Sequence, residues 1–297
     1  IVDWRVAPRW YFAALAVIAE SIERPLDYHH HNAAGTVALL RAAHHARQQQ
    51  GDHLARAVVL SSTCAVYGNA PIDTPINEDT TPAPTHPYGR SKLAAEHALE
   101  DFASAENNTR RNFKAAALRY FNAAGADPDP LLGEQTNTST RLIPSAALAA
   151  LGHLPHLDIH GTNFPTPDGT AVRDYIHVAD LASAHLAVAA AMHNAAPAGH
   201  QLPTWSVYNL GSGRGHSVRQ AVAAVERAAA APVPTRDAPR RPGDPANLVA
   251  DPKKFEQDFL TPAATRSLDE QAADAVRWIR AHPHQSQQPR PEPTRNR

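Results

Sequence analysis

The sequence predicts an α/β protein with a doubly wound parallel sheet and a smaller α/β lobe toward its C-terminal end. Apolar runs at Ala57 to Ser61, Ala115 to Tyr120 and Trp205 to Leu210 are short and bounded by turn or polar residues, as strands buried on both faces are. A helical stretch separates the first two, so strand and helix alternate over the first 120 residues. Beyond Ala123 the pattern becomes irregular, which sets off a lobe of different construction.

Taken in order, Trp10 to Ala19 is apolar and stands behind Arg5 and Arg9. It resembles a secretory leader in outline, but reads better as a buried parallel strand running into a loop at Glu20 and Ser21. Asn32 to Arg47 follows as a helix, with Val37, Leu39, Leu40, Ala43 and Ala46 on its buried face. Five prolines between Asn69 and Pro87 forbid long regular elements there. A helix then runs from about Tyr88 to Ala105, with Thr85 as N-cap and Leu93, Ala94, Ala98 and Phe102 near helical period. Later elements are a helix at Pro144 to Leu151, a strand at Leu157 to His160 and a helix at Val178 to His193. The polyalanine Ala228 to Ala231 ends a helix before Pro232, and His282 to Arg297 is Pro-, Gln- and Arg-rich and expected to be disordered. The expected division is 1–122 for the sheet domain, 123–281 for the lobe and 282–297 for the tail.

Composition narrows the function classes. With 28 basic and 29 acidic side chains, net charge −1, the chain lacks the basic footprint of a nucleic-acid binder. No apolar run reaches the roughly 18 residues of a membrane span. A single cysteine, Cys64, excludes an internal disulfide framework and suits a reducing compartment, so a cytoplasmic location is expected. No metal site is expected either. His29-His30-His31 and His44-His45 are adjacent residues, which point about 100° apart on a helix and make poor joint ligands.

The chemistry concentrates in one stretch. Tyr88-Gly89-Arg90-Ser91-Lys92 places a phenol and an ammonium four residues apart, on one helix face. Thr63 lies just past the strand at Ala57 to Ser61, where parallel sheets present catalytic groups. A free tyrosine ionises near pH 10, so a base near neutrality requires about three units of lowering, roughly 4 kcal/mol. Lys92 and a cationic nicotinamide ring could supply it. By contrast Gly211-x-Gly213-x-Gly215 is no dinucleotide loop: His216 stands where the third glycine belongs, and no acidic residue follows in a second strand.

Several blocks in fixed order carry a resemblance: Leu60 to Gly68, Pro87 to Lys92, Arg119 to Asn122, Asp168-Gly169-Thr170 with Val172 to Val178, Tyr208 to Gly211, and Arg240 to Asp244. Together they closely resemble the UDP-galactose 4-epimerases, NAD-dependent enzymes of the extended short-chain dehydrogenase class, over roughly Phe12 to His282. The resemblance implies a Rossmann-like domain for the first part, a UDP-sugar lobe for the second, NAD as cofactor and a homodimer. It implies Tyr88, Lys92 and Thr63 as catalytic residues. Phe12, Ser61, Ser62 and Tyr120, with Tyr88 and Lys92, would contact NAD. Asn122, Arg173 and Arg241 would hold the diphosphate, Asp244 the uridine ribose and Leu142 the uracil, while Thr63 also meets the sugar.

In the implied mechanism Tyr88 takes the proton of the sugar 4-hydroxyl while hydride passes from C4 to NAD. The 4-keto sugar turns and regains the hydride on its other face. Lys92 would hold the nicotinamide ribose and keep Tyr88 acidic. Relatives that dehydrate nucleotide sugars need an acid just after the threonine, and here those positions are Cys64 and Ala65.

The match begins at what would be the fourth strand of the family's sheet, so about two βα units, on the order of 60 to 70 residues, are expected to precede it. Those units carry the Gly-rich turn for the NAD phosphates. The family's lysine near Leu15 and Ala16, histidine at Tyr11, asparagine at His31, Asn or His at Arg141 and Phe at His160 are replaced. Three readings therefore stand: a UDP-glucose/UDP-galactose epimerase, a nucleotide-sugar-binding remnant without turnover, and an epimerase of UDP-N-acetylhexosamines. Leu248, at the position that tunes room for the N-acetyl group, leaves the last open.

Overall fold

A computed structural model of the chain describes residues 9–50, 56–69, 74–108, 113–134, 141–192, 202–241 and 243–283. Its strands are β1 (Arg9–Tyr11), β2 (Ala57–Thr63), β3 (Lys114–Tyr120), β4 (Asn122–Ala124), β5 (Leu157–His160), β6 (Val172–His177), β7 (Trp205–Leu210), β8 (Gly215–Ser217), β9 (Thr235–Ala238) and β10 (Asn247–Leu248). The helices are α1 (Ile18–Glu23), α2 (Pro25–Tyr28), α3 (Gly35–Gln50), α4 (Pro87–Asn108), α5 (Leu142–Ala150), α6 (Val178–Met192), α7 (Val218–Ala229), α8 (Lys253–Phe259) and α9 (Leu268–Ala281). A π-helical segment, His29–Ala34, joins α2 to α3, and a 3-10 turn, Cys64–Tyr67, follows β2.

The main sheet has the order β1-β2-β3-β7, every pair parallel. Strand alternation sends Ala57, Val59, Ala116 and Leu118 to one face, where α6 and α8 cover them with Leu181, Val188, Phe255 and Phe259. Val58, Leu60 and Ala115 face the other way, against Leu40 of α3 and Leu99 and Ala103 of α4. Helices on both faces make the sheet doubly wound, as expected. A second sheet, β10-β6-β4 with β8 antiparallel to β6, adjoins the first, and β5 pairs β9. Over these pack α5, α7 and α9, whose shared core includes Ile143, Leu148, Val225, Val276 and Trp278. Capping boxes, Ser217 with Gln220 and Ser267 with Glu270, fix the starts of α7 and α9.

Four local expectations change. The N-terminal strand is only Arg9–Tyr11 and lies at the sheet edge, with Trp10 42% and Phe12 58% exposed, so it is parallel but not buried. Glu20 and Ser21 lie within α1 instead of a loop. On α3 the inward residues are Thr36, Leu40 and Arg47, while Val37 faces out. On α4 the inward set is Ser91, Lys92, Ala95, Glu96, Leu99, Ala103 and Glu106, and Ala94 is exposed. The N-cap of α4 is His86 in place of Thr85: Pro87 takes the first helical position, and the His86 Nδ1 accepts from the Gly89 N–H at 3.2 Å. His193, nearly all of the predicted tail and Pro242 lie outside the described residues.

Candidate functional site

Thr63 closes β2 and begins the 3-10 turn, its Oγ1 accepting from the Ala65 N–H at 3.1 Å. Opposite it, α4 starts at Pro87, and Gly89 lets the helix press onto that turn. A Cβ at Gly89 would stand 2.5 Å from the Ala65 carbonyl oxygen. This close approach brings the Tyr88 phenol within the influence of the Thr63 hydroxyl. The Tyr88 ring is held by stacking on His86, centroids 6.1 Å apart, and by the edge of Tyr28 at 6.3 Å.

Burial pushes the Tyr88 phenol up to about 12, opposed by the Thr63 hydroxyl and by the charge of Arg141. The expected lowering of this phenol by Lys92 is not what the geometry shows. Lys92, one turn along α4 and 2% exposed, is itself brought down to about 8 by burial, with Glu96 acting the other way. Arg141, which replaces the family's neutral residue, thus contributes a charge at the phenol that the sequence did not reveal.

Ser61 and Thr63 share a face of β2, and Tyr120 lies beside Thr63 in the register of β3. Burial raises the Tyr120 phenol, opposed by the Ser61 hydroxyl, and its own hydroxyl lies 2.7 Å from His185 Nε2. The His185 ring stands 5.0 Å from that of Phe12. Phe12, Ser61, Thr63, Tyr88, Lys92 and Tyr120 are therefore gathered at the carboxyl end of the sheet. Ser62 is not among them. It points to the opposite face, where its hydroxyl donates to Glu96, so the expectation of a cofactor contact from Ser62 is corrected by strand alternation.

The substrate candidates line the neighbouring edge. Asn122 opens β4 and pairs with Tyr175 of β6. Arg173, 9% exposed, donates from Nη2 to Asp244 at 2.6 Å and from Nη1 to the Val172 carbonyl. It is near enough to Cys64 to oppose the burial that pushes this thiol up to about 12. Arg241 is exposed, and Leu142 is the half-buried first residue of α5, packed against the lobe core. Leu248 is 8% exposed and sits beside Arg173 in the register of β10.

The glycine run after β7 serves a different end. Ser212 and Gly213 N–H groups donate to Asp174 at 2.7 and 2.9 Å, with the Ala250 N–H at 3.1 Å. Gly211 is required because a Cβ there would meet Asp174 Oδ2 at 2.6 Å. Asp168 likewise fixes a turn, accepting from the Thr170 N–H and from Ser217. Two further residues escaped the sequence reading. Asn32, fully buried, bonds Leu15 on both backbone groups and Ser91 on α4, tying the segment after β1 to the helix that carries Tyr88. Glu96 lies four residues beyond Lys92, and the Tyr88, Lys92, Glu96 spacing was the available signal.

Among the described residues no group of three or more His, Cys, Asp or Glu could hold a metal, and no helix is long and apolar enough to cross a membrane. His44 instead meets Glu106 at 2.7 Å.

A hydroxyl, a phenol and an ammonium at the carboxyl end of a doubly wound parallel sheet define a site of the dinucleotide-dependent class. The chain belongs to the NAD dependent epimerase/dehydratase family, which matches it over residues 10–211. It is 42% identical over 279 residues to the UDP-glucose 4-epimerase of Azospirillum brasilense, covering 94% of this chain and 74% of that one. Identity to the UDP-glucose 4-epimerase of Bacillus subtilis (strain 168) is 40%, over 90% and 74% of the two chains. The crystal structure of UDP-glucose 4-epimerase from Bifidobacterium longum in complex with NAD+ and UDP superposes with a TM-score of 0.81 at 36% identity, covering 95% of this chain and 78% of that one. The chain thus spans about three quarters of the length of these relatives. The side chains present are of the kind that suits the nicotinamide end of the cofactor: the Lys92 ammonium is buried one helical turn from the Tyr88 phenol, and Thr63 lies beside Tyr120 in the sheet.

Proposed function

We propose that the protein is a UDP-sugar 4-epimerase that interconverts UDP-glucose and UDP-galactose, using NAD. The observation that carries this reading is the approach of the Tyr88 phenol to Thr63 at the end of β2, with Lys92 one turn beyond. NAD, when bound, supplies the hydride acceptor and donor for sugar C4. The chain's residues do the rest.

Tyr88 exchanges the proton of the 4-hydroxyl, and Thr63 holds the same oxygen. Lys92, Ser61, Tyr120 and Phe12 would line the cofactor side. Because burial holds the Tyr88 phenol near 12 even with the Thr63 hydroxyl and the Arg141 charge opposing it, its activation depends on further positive charge. Lys92, one turn along α4, would supply it. Asn122, Arg173 and Arg241 would face the diphosphate, as guanidinium forks suit phosphate oxygens. The Arg173 to Asp244 ion pair pre-orients that guanidinium next to the ribose position. Cys64 and Ala65 offer no acid for loss of water: the thiol is held protonated by burial and the other side chain is a methyl group. Epimerisation without dehydration follows from that chemistry. The reading includes a cytoplasmic homodimer and the division into a sheet domain, 1–122, and a substrate lobe, 123–281.

The test is conversion of UDP-galactose by purified protein, alongside UDP-N-acetylgalactosamine, with NAD released by denaturation and quantified. Bound NAD and turnover of UDP-galactose are expected. Tyr88→Phe should lower kcat by about 10²- to 10⁴-fold with the NAD content kept. Protein that binds UDP but carries no NAD and turns over neither sugar would favour the nucleotide-sugar-binding reading and sink this one.

A further inference from the structure

On the face of β2 that packs against α4, opposite to that of Ser61 and Thr63, a buried polar chain runs across five elements. Glu96 of α4, 1% exposed, accepts from the Ser62 hydroxyl and from Arg119 of β3, whose Nη2 lies 2.6 Å and Nε 3.1 Å from its two oxygens. The Arg119 Nη1 donates to the Tyr67 hydroxyl at 2.8 Å, with the guanidinium carbon 4.9 Å from that ring's centroid. The Tyr67 hydroxyl donates to Asn209 Oδ1 at 2.7 Å, and Asn209 Nδ2 reaches the Ile76 carbonyl at 2.8 Å. Ser62, Tyr67, Arg119 and Asn209 are each 5% exposed or less.

Three of these side chains are each a short covalent step from a site residue. Ser62 precedes Thr63, Arg119 precedes Tyr120, and Glu96 is one helical turn from Lys92, which is one turn from Tyr88. A carboxylate that grips β2 and β3 at once fixes how far α4 can slide along the sheet. A buried lysine also needs a neighbouring negative charge to stay protonated. Charged or titratable groups around this joint are Tyr28 and Tyr88 on the helix side, Cys64 and Tyr67 from the 3-10 turn, Arg119 from β3 and Glu78 beside Asn209. Of all of them, Glu96 is the one that acts on the charge of Lys92.

We propose that Glu96 is a positioning residue of the proton-transfer unit, setting the register of α4 against β2 and β3 and keeping the buried Lys92 ammonium charged. This rests on the reading of Tyr88 and Lys92 as the proton-transfer pair. A purely structural ion pair would serve the register alone. The distinguishing readout is therefore the titration of Lys92.

The chain has four lysines, Lys92, Lys114, Lys253 and Lys254, so protein labelled with 13C at lysine Cε gives four resonances, and Lys92→Met identifies one. In the intact protein the Lys92 midpoint is expected at about 8. Glu96→Gln keeps an acceptor for Ser62 and removes the charge, and should move the midpoint down by about one unit. Glu96→Asp should restore most of it. A folded Glu96→Gln protein with an unmoved Lys92 midpoint overturns the proposal. If Glu96→Gln does not fold because Arg119 is left unpaired, the double variant Glu96→Gln with Arg119→Met removes both buried charges, and the same shift or its absence decides. Failure of the underlying reading shows elsewhere: Tyr88→Phe would keep its turnover, whatever Lys92 does.

Discussion

The two halves of the molecule are held together by different physics. Around the main sheet, the helix faces turned inward on α3 and α4 carry Arg47, Lys92, Glu96 and Glu106, each less than 5% exposed. In the lobe, α5, α7 and α9 meet mainly over alanine, leucine, isoleucine, valine and one tryptophan, with exposed ion pairs such as Arg227 to Asp269 and a single buried carboxylate among the described residues of these helices, Asp274, set against His177 at 3.1 Å. Buried charge specifies alignment at some cost in stability, whereas apolar packing supplies stability with less positional demand. The half that must place a phenol against a hydroxyl uses the first device, and the half that offers a scaffold to the nucleotide uses the second.

The largest effect that separates them is expected from Trp278→Ala. The indole is 5% exposed, donates from Nε1 to the Glu134 carbonyl at 3.0 Å, and sits where a Cβ on Gly133 would be 2.2 Å away. Its removal should destabilise the protein by about 3–5 kcal/mol, measured by urea unfolding. A loss below about 1 kcal/mol would mean that the lobe does not depend on this core.

The charged half breaks differently. Glu106 contacts His44 at 2.7 Å and Arg47 at 3.4 Å, clamping α4 to α3. Removing only the carboxylate takes the negative charge from beside a buried guanidinium, so Glu106→Leu should cost about 3 kcal/mol. Adding Arg47→Met should recover most of that loss, because both charges are then gone. Equal losses in the single and double variants, by the same denaturation assay, would show that packing and not charge holds the two helices.

That division also explains what could be read from the chain. Strands Leu157–His160 and Trp205–Leu210 have the expected bounds, the first through the alternation of buried Leu157 and Ile159 with Asp158 and His160, the second through its apolar run. The inner faces of α3 and α4 were misjudged at Val37 and Ala94, since hydrophobic periodicity cannot find a face whose inward residues include Thr36, Arg47, Glu96 and Glu106. Within the site, Thr63, Tyr88 and Lys92 were legible from their order along a strand, loop and helix. Ser62 was not, because a serine triplet looks alike on both faces until Glu96 claims one of them. The charge of Arg141 at Tyr88 depends on a contact far apart in sequence and left no local trace.

A smaller effect follows from proton linkage. Lys92 is lowered from its ordinary value of 10.5 to about 8, so its charged form is the one folding disfavours. Between those values the unfolded chain binds more protons than the folded one, and stability rises with pH. The Tyr88 phenol, raised from 10 to about 12, acts in the opposite sense above pH 10. The Cys64 thiol, raised by burial from 9.0 to about 12, acts in that same opposing sense from pH 9. Stability should therefore climb between pH 8 and pH 9, by about 1 kcal/mol, level off to pH 10 and fall beyond it. In Lys92→Met the climb should vanish while the fall remains. A climb that survives that substitution would place its origin in another group.

The smallest effect tests the edge where the charged half meets solvent. In β1, Trp10 is 42% exposed, Phe12 just beyond is 58% exposed, and among the described residues β2 is the sole strand paired with β1. Exposed aromatic groups at a sheet edge offer apolar surface that promotes association between chains. If the indole contributes little to the fold, Trp10→Lys should change stability by less than about 0.5 kcal/mol. It should also reduce concentration-dependent association, followed by light scattering, because a lysine at a sheet edge disfavours pairing with another strand. A loss of more than about 1 kcal/mol instead would show that the strand's exposed side is held by the protein itself, and that the edge belongs with the packed half of the comparison.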